Sequence, residues 1–355
     1  MIAVLAAALL FQPQASISIE EYEPKSTLVV PQHTITRAKY PFIDIHTHHR
    51  QINPDELAKL RAEMDKMNMR IMVNSLPMGG SGEWLKNAVA TMRVFNKDRF
   101  ATMASIGNWR LAGQPGGPEK LAAQLEDDIR NGAVGLKIWK NFGMTEKDAD
   151  GKRIPVDDPR MDPVWAVCAR HKIPVLIHTA DPKPLFEPMD KYNERWLELK
   201  MRPTRAHPDV SWDQVMAEQH HLFESHKDTI FIDAHMGWMA NDLGKLGALL
   251  DRCPNVYVEI GAIYSELGRQ PRNARAFFTK YQDRVLFGKD AWNPSEYPFV
   301  FRLLESADEY FEPLRRYHGL WRMYGLELPD AVLKKLYYKN AVRIVPGLSK
   351  AGFPD

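Results

Sequence analysis

Short apolar stretches alternate with longer amphipathic ones along the chain from about residue 40 onward. Eight of the apolar stretches have the length and composition of β-strands. They are FIDIHTH (42–48), RIMVNSL (70–76), FATMASI (100–106), AVGLKIW (133–139), PVLIHTA (174–180), TIFIDAH (229–235), VYVEIGA (256–262) and VLFGKDA (285–291). Segments with helical periodicity lie between them, such as PDELAKLRAEMDKM and NDLGKLGALLDRC.

Eight strands that are each followed by a helix are typical of an α/β fold, the (β/α)8 TIM barrel. We therefore predict one barrel domain over residues 41–348. A doubly wound open sheet is the competing architecture, but no GxGxxG turn follows the first strand.

The connection after the fifth strand differs from the others. Residues 181–211 are Pro-rich and charged, and their few apolar positions follow no regular period. A loop that follows a barrel strand lies on the catalytic face, and a loop this long usually carries function. We predict a lid or substrate-recognition segment here, with a mobile surface insertion as the alternative.

The N-terminal segment resembles an export signal. Residues 1–18 contain an apolar run too short to span a bilayer, followed by polar and small residues. This predicts a signal peptide over 1–18, a lead-in over 19–40, and a secreted or periplasmic protein. No Lys or Arg precedes the run, so a mis-assigned start codon or a disordered tail, and hence a cytoplasmic protein, is the alternative. We expect no membrane association of the mature form.

Charge and cysteine content narrow the range of partners. The formal net charge is +2 and no Lys/Arg run stands out, so we expect no nucleic-acid partner and predict a small-molecule substrate. Composition is also compatible with a homo-oligomer. The two cysteines, Cys168 and Cys253, lie far apart and suggest neither a disulfide framework nor a zinc ribbon.

Three histidines fall within four positions at the end of the first predicted strand. Alternate side chains on a strand share a face, so His46 and His48 point the same way and His49 points to the opposite side. Two imidazoles at neighbouring positions of one face can bind one divalent cation. We interpret His46 and His48 as paired ligands and His49 as a bystander.

Residues of metal-binding or catalytic type also end four other predicted strands. In a barrel the carboxyl ends of the strands converge on one rim, whatever their separation in sequence. The residues are Lys137, His178, His235 and Asp290.

This order of residues resembles that of the amidohydrolase superfamily. The closing YYKNAVRIV segment further resembles the amidohydrolase-related branch, which includes hydrolases and non-oxidative decarboxylases such as the aminocarboxymuconate-semialdehyde-decarboxylase group. The resemblance extends from about residue 40 to the end. It implies that His46, His48, His178 and Asp290 bind a metal, and that His235 is a catalytic acid/base or a ligand of a second metal.

The role of Lys137 has several alternatives. In binuclear relatives the corresponding lysine is carboxylated and bridges two metals, whereas mononuclear relatives do without it. An ammonium beside a dication is repelled, so the lysine must be carboxylated, kept at a distance, or paired with a carboxylate such as Glu259 or Asp233. We expect one metal and a lysine that does not bridge. Glu259 is a candidate bridging ligand or hydrogen-bond partner of the ligands. Asp44 and Asp233 either form hydrogen bonds to an imidazole or are a polar pair within the barrel.

These residues predict metal-dependent chemistry. A divalent ion, Zn²⁺ first and Mn²⁺ second, lowers the pKa of bound water towards about 7. Asp290 would accept the proton of that water and His235 would assist the leaving group, which predicts a hydrolase of a small amide, ester or lactone. The alternatives are a decarboxylase, a carbon-carbon lyase acting on a small unsaturated or aromatic acid, and a catalytically inactive metal-binding barrel. Candidates for substrate binding are Arg110, Trp238 and Trp292.

Overall fold

The structure, a computed structural model, describes residues 16–75 and 80–354. The predicted signal peptide lies almost entirely outside the described residues. The chain divides into two compact units, Met1–Pro31 and Gln32–Asp355. The described part of the first unit contains a turn, in which the Glu21 and Tyr22 N–H groups donate to the carbonyl of Ser18. Among the described residues, no helix combines the length and apolar character needed to cross a membrane.

The second unit is built on eight parallel strands that pair in the order in which they follow along the chain. The strands are β1 (Phe42–Thr47), β2 (Met69–Ser75), β3 (Phe100–Ser105), β4 (Leu136–Ile138), β5 (Val175–Ile177), β6 (Phe231–Asp233), β7 (Val256–Glu259) and β8 (Val285–Leu286). A parallel bridge between Thr47 and Asp290 connects the end of β1 to the segment after β8. The predicted (β/α)8 barrel is thus confirmed.

Helices surround the barrel. Their bounds are α1 (Pro54–Met67), α2 (Gly82–Asn96), α3 (Gly117–Arg130), α4 (Asp162–His171), α5 (Trp196–Met201), α6 (Trp212–Ser225), α7 (Leu243–Arg252), α8 (Tyr264–Gly268), α9 (Pro271–Lys280), α10 (Tyr297–Glu305), α11 (Asp330–Lys334) and α12 (Asn340–Ile344). Polar caps set several starts: the Asn53 side chain accepts the Glu56 N–H of α1, and Asp242 accepts the Lys245 N–H of α7. Apolar helix faces pack on the sheet, as shown by the buried Leu57, Leu60 and Met64 of α1.

Most strands are shorter than the sequence predicted, because the chain leaves the extended conformation where the candidate functional residues begin. Ala180, His235, Ala262 and Asp290 all have φ between 59° and 75°, in the left-handed region. Non-glycine residues rarely adopt this conformation, and it cannot continue a strand. Left-handed backbone therefore follows β5, β6, β7 and β8 at the carboxyl rim of the barrel.

The segment after β5 is more regular than the sequence indicated. Residues 181–211 contain α5 and two single-turn 3-10 helices, Lys183–Phe186 and Pro203–Arg205. Apolar periodicity did not indicate α5, because charge rather than an apolar face fixes this helix. Its Glu198 is fully buried and bonds to both Arg195 and Arg205. A second irregular segment, residues 306–325, follows α10 and is closed by an antiparallel bridge between Phe311 and Met323.

Candidate metal centre

Three side chains meet at one point, where the end of β1 lies beside the segment after β8. The Nε2 atoms of His46 and His48 lie 3.1 Å apart, and Asp290 Oδ1 lies 3.5 Å from the first and 3.1 Å from the second. His46 and His48 come from β1 and its end, and Asp290 is held beside them because its N–H donates to the His46 carbonyl at 2.7 Å. The three donor atoms form a group compact enough to share one metal ion.

The hydrogen bond made by the other nitrogen of each imidazole determines which ring nitrogen carries the proton. His48 Nδ1 lies 2.5 Å from the carbonyl of Ser75, which can only accept, so Nδ1 carries the proton. His46 Nδ1 lies 3.1 Å from Glu259 Oε1. Burial, and then the charge on Lys137, lower the pKa of His46 to about 3, so this ring is neutral at pH 7 and its proton sits on Nδ1.

The neutral His46 ring directs a bare Nε2 at the same small space as Asp290 Oδ1, and His48, whose Nδ1 donates to Ser75, directs its Nε2 there as well. Lone pairs repel one another at such distances unless a positive charge lies between them. Nitrogen and oxygen donors of this kind suit Zn²⁺ and related first-row divalent ions. The residues of this structure thus fit the metal that the sequence predicted.

Glu259 orients His46 and His235 through hydrogen bonds. Its Oε1 accepts His46 Nδ1 and the backbone N–H of His235 at 2.6 Å, and its Oε2 accepts the N–H of Gly261 at 2.6 Å. Burial opposes ionisation of this carboxyl, but the charges and hydrogen bonds of His46 and His235 lower its pKa to about 2. Glu259, His46 and His235 also form a compact donor group. Glu259 Oε1 already accepts His46 Nδ1, and His235 Nδ1 donates to the Gly261 carbonyl, so Glu259 acts as a partner of the ligands.

The predicted ligand His178 lies against His235. Its Nδ1 is 3.4 Å from His235 Nε2, and its buried Nε2 has no hydrogen-bond partner among the described residues. His235 Nδ1 lies 2.8 Å from the carbonyl of Gly261, so Nδ1 carries a proton and Nε2 faces His178. Trp238 stacks on His235 with ring centroids 4.5 Å apart. An orphaned buried nitrogen is unusual, and a bound ion or substrate would satisfy it.

Lys137 reaches into the same space. It is fully buried on β4, and its Nζ lies 3.0 Å from His46 Nε2. Among the described residues no carboxylate forms an ion pair with it, and it is not kept at a distance from the ligands. Burial lowers the pKa of this amine to about 8, although Asp290 and Glu259 act in the opposite direction.

Two buried aspartates have roles other than those expected. Asp44 accepts the N–H groups of His46 and Lys289 and the Tyr297 hydroxyl, so it joins β1 to the segment after β8. Asp233 accepts the side-chain amide of Gln219. The suggestion that either bonds to an imidazole ring was wrong, because the backbone and helix side chains reach these carboxylates first.

A cavity of about 360 Å³ opens beside the metal centre. His178, His235, Asp290 and the predicted Trp238 contribute to its wall. Arg110 is exposed outside the described lining, and Trp292 instead packs against His49, with ring centroids 5.4 Å apart. The arginines of the wall come from the two irregular segments and were missed by sequence reasoning. They are Arg195, Arg202, Arg205 and Arg315.

His318 also lines this cavity. The density of arginine between residues 195 and 205 was the available signal in the sequence. It could not be used without coordinates, because irregular segments have no periodicity that tells inward from outward positions.

Solved structures of other proteins share the fold of this chain. A structure of 2,6-dihydroxybenzoate decarboxylase is similar at 14% identity with a TM-score of 0.53, covering 86% of this chain and 99% of that one. A 5-carboxyvanillate decarboxylase from Sphingomonas paucimobilis has 14% identity, a TM-score of 0.50 and the same coverage. An uncharacterized TIM-barrel protein from Bordetella bronchiseptica has 16% identity and a TM-score of 0.55, covering 86% and 98%. At these identities the likeness shows the fold.

A search of curated proteins found no match. The family model described as Amidohydrolase, by contrast, matches residues 43–347, which is nearly the whole barrel. This family consists of metal-dependent enzymes, among them decarboxylases and hydrolases. The chain therefore belongs to the amidohydrolase family.

Proposed function

We propose that the protein is a metal-dependent hydrolase of a small amide, ester or lactone. The observation that carries the proposal is the convergence of His46 Nε2, His48 Nε2 and Asp290 Oδ1 on one point beside a cavity. His46, His48 and Asp290 would hold the metal, and His178 is the further candidate ligand because its Nε2 has no other partner. A bound Zn²⁺ or Mn²⁺ would supply a Lewis acid and activate water at neutral pH.

Asp290 is suited to receive a proton. Burial opposes its ionisation, but contact with His48 holds the pKa of its carboxyl well below the ordinary value. The residue is therefore ionised at neutral pH. Only Oδ1 faces the two imidazoles in the contacts described above, which leaves Oδ2 to accept the proton of the attacking nucleophile.

His235 is suited to handle the second proton. Its Nδ1–H donates to Gly261, and its backbone N–H donates to Glu259, so the ring is fixed with Nε2 towards the cavity. Nε2 can exchange a proton with the leaving group, and Trp238 covers one face of the ring. Because the ring has lost its freedom to rotate, the proton is delivered in one direction.

Decarboxylation is the second candidate, and the cationic cavity wall favours it. Two of the similar structures are decarboxylases by name. In that reaction His235 Nε2 would protonate the carbon that loses CO₂. The third candidate is a barrel that binds metal without turnover.

One experiment separates the three candidates. Metal-depleted protein is reloaded with Zn²⁺ or Mn²⁺ and assayed against panels of esters, lactones, amides and aromatic acids, with CO₂ release measured in parallel. Hydrolysis of at least one ester, lactone or amide should appear on loading and disappear with a chelator. Asp290→Asn and His178→Ala should each abolish it while circular dichroism remains that of a folded barrel. Release of CO₂ alone would establish the lyase, and stoichiometric metal without any turnover would establish the binding protein.

A further inference from the structure

The wall of the cavity contains more positive than negative charge. Six cationic side chains line it: Lys140, Arg195, Arg202, Arg205, Lys289 and Arg315. Four carboxylates, apart from the candidate ligand Asp290, bond to them: Asp181, Glu198, Glu266 and Glu296. With the ionised Asp290 counted as a fifth carboxylate, one positive charge is in excess.

Five of these cations are held by acids. Lys140 lies 2.5 Å from Asp181, and Lys289 and Arg315 lie 2.6 and 2.7 Å from the two oxygens of Glu296. Arg195 and Arg205 share the buried Glu198. These five side chains are thus committed to the protein's own carboxylates.

Arg202 is the sixth cation, and no carboxylate bonds to it in the part of the chain that the structure describes. It follows α5, and its guanidinium carbon lies 4.9 Å from the centre of the Tyr317 ring. That ring belongs to the irregular segment after α10, so Arg202 is stacked between the two segments that form the wall. Stacking orients the planar group while leaving its N–H donors unused.

The pKa of the neighbouring His318 reflects the same excess of positive charge. Burial, followed by the charges of Arg195, Arg205, Arg315 and Arg202, lowers the pKa of this imidazole to about 3. Like charges gathered in a half-buried place repel one another, and an anion bound among them relieves that repulsion.

We propose that Arg202 binds a carboxylate of the substrate that is separate from the bond being broken, so that the enzyme acts on small molecules carrying an acid group. The inference rests on the proposed function, because it assumes that the protein is an enzyme with a substrate. A guanidinium matches a carboxylate with two parallel N–H donors, which a solvated lysine does not. The metal centre and Arg202 line the same cavity of about 360 Å³, so one small molecule can reach both.

Binding measurements test this without requiring turnover. Glutarate, a dicarboxylate, and glutaramide, its uncharged counterpart of equal length, are titrated by calorimetry into metal-loaded and metal-free protein. We expect the native protein to bind glutarate more tightly, and Arg202→Gln to weaken glutarate by about tenfold or more while leaving glutaramide unchanged. Arg202→Lys should retain part of the affinity, and added salt should weaken it.

Arg61→Gln is the matched control. Arg61 is also exposed, and its guanidinium carbon also lies over an aromatic ring, 5.4 Å from the centre of Phe95, but it lies on α1 outside the cavity lining. This variant should bind glutarate like the native protein.

Equal glutarate affinity in the native protein and Arg202→Gln would overturn the proposal, as would a native protein that does not prefer glutarate to glutaramide. Inorganic phosphate that binds as tightly as glutarate and with the same dependence on Arg202 would overturn it in favour of a free-anion site. Failure of every ester, lactone and amide to react would reject the hydrolase and leave this binding result standing, so the two proposals fail separately.

Discussion

At the scale of single residues, one carboxylate determines how the histidines of the metal centre are oriented. Glu259 accepts hydrogen bonds from a ring nitrogen of His46 and from the backbone of His235 and Gly261. It therefore fixes both the tautomer of one ligand and the position of the proposed acid/base. Its influence on the metal is exerted through His46 and needs no direct bond.

Glu259→Gln should weaken metal binding by about 10-fold to 100-fold. The amide keeps the shape of the side chain but loses the charge that holds the proton on His46 Nδ1. The measurement is competition for Zn²⁺ against a chromophoric chelator. His49→Ala is the control, because His49 is adjacent in sequence and yet contacts Trp292 and the side chain of Asn74. Equal metal affinity of Glu259→Gln and the native protein would contradict this role.

Sequence reasoning reached some of these residues and not others for a physical reason. His46 lies in β1 and His48 directly follows it, so the alternation of a strand indicated that they share a face, and their Nε2 atoms are 3.1 Å apart. His235 and Asp290 follow strands in left-handed backbone, so only their position at the strand ends indicated them. Arg202 lies in an irregular segment, where no pattern distinguishes a cavity side chain from a surface one.

At the scale of elements, the segment after β5 is attached to the barrel through Asp181. This side chain is 1% exposed and accepts Lys140 Nζ, Arg205 and His207 Nε2. Burial opposes its ionisation, but the hydrogen bond to His207 and the charge of Lys140 lower its pKa to about 2, from an ordinary value of 3.8. Ion pairs thus hold this segment in place. It lacks the periodic apolar residues from which α5 could have been predicted.

Asp181→Asn should lower the free energy of unfolding by about 2 kcal/mol at pH 7. A carboxyl whose pKa is depressed on folding adds stability above its unfolded pKa, and this stability is lost as the pH falls through the folded pKa. The difference from the native protein should therefore shrink by roughly half at pH 3. Urea unfolding at pH 7 and pH 3 measures it.

Glu187→Gln is the control for that experiment, because Glu187 lies in the same segment, is exposed, and its side chain has no hydrogen bond among the described residues. It should be close to neutral at both pH values. A difference for Asp181→Asn that stays constant between pH 7 and pH 3 would mean that the effect is not due to the charge.

The close packing around Gly288, which follows β8, gives a second prediction at this scale. A Cβ added to Gly288 would lie 2.3 Å from Glu259 Oε2 and 3.0 Å from the Cβ of His46. Gly288→Ala should therefore displace the partner of the ligands, weaken metal binding and cost about 1–3 kcal/mol of stability. Chelator competition and urea unfolding check both effects.

Gly244→Ala is the matched control. The nearest atom to its added Cβ is Asp242 Oδ1 at 3.6 Å, and Gly244 lies within α7, where alanine is the better helix former. Unchanged metal affinity in Gly288→Ala would show that the segment after β8 can move without disturbing the site.

At the scale of the whole molecule, the fold could be predicted almost entirely from the sequence. Eight apolar stretches separated by amphipathic ones leave few architectures, and the strands pair in chain order as a barrel requires. The strand lengths could not be predicted, because left-handed residues at the rim are of types that also occur in strands, such as Ala180. The barrel itself brings ligands distant in sequence together.

This convergence couples metal binding to the stability of the entire barrel. His46 belongs to β1, whereas Asp290 follows β8, so the site forms only when the first and last strands are joined. An ion that binds the folded state alone stabilises it by about 2.7 kcal/mol at a free concentration of 100 times its Kd. For a chain of this size, that corresponds to an increase in Tm of about 4 °C.

Thermal unfolding of metal-depleted protein, with and without added Zn²⁺, measures this coupling. The native protein should gain that increase on loading and lose it with a chelator, in parallel with any catalytic activity. Asp290→Asn should show little increase, because removing the ligand after β8 leaves only the β1 end of the site. An equal increase in Asp290→Asn would place the stabilising ion elsewhere and separate the metal from the closure of the barrel.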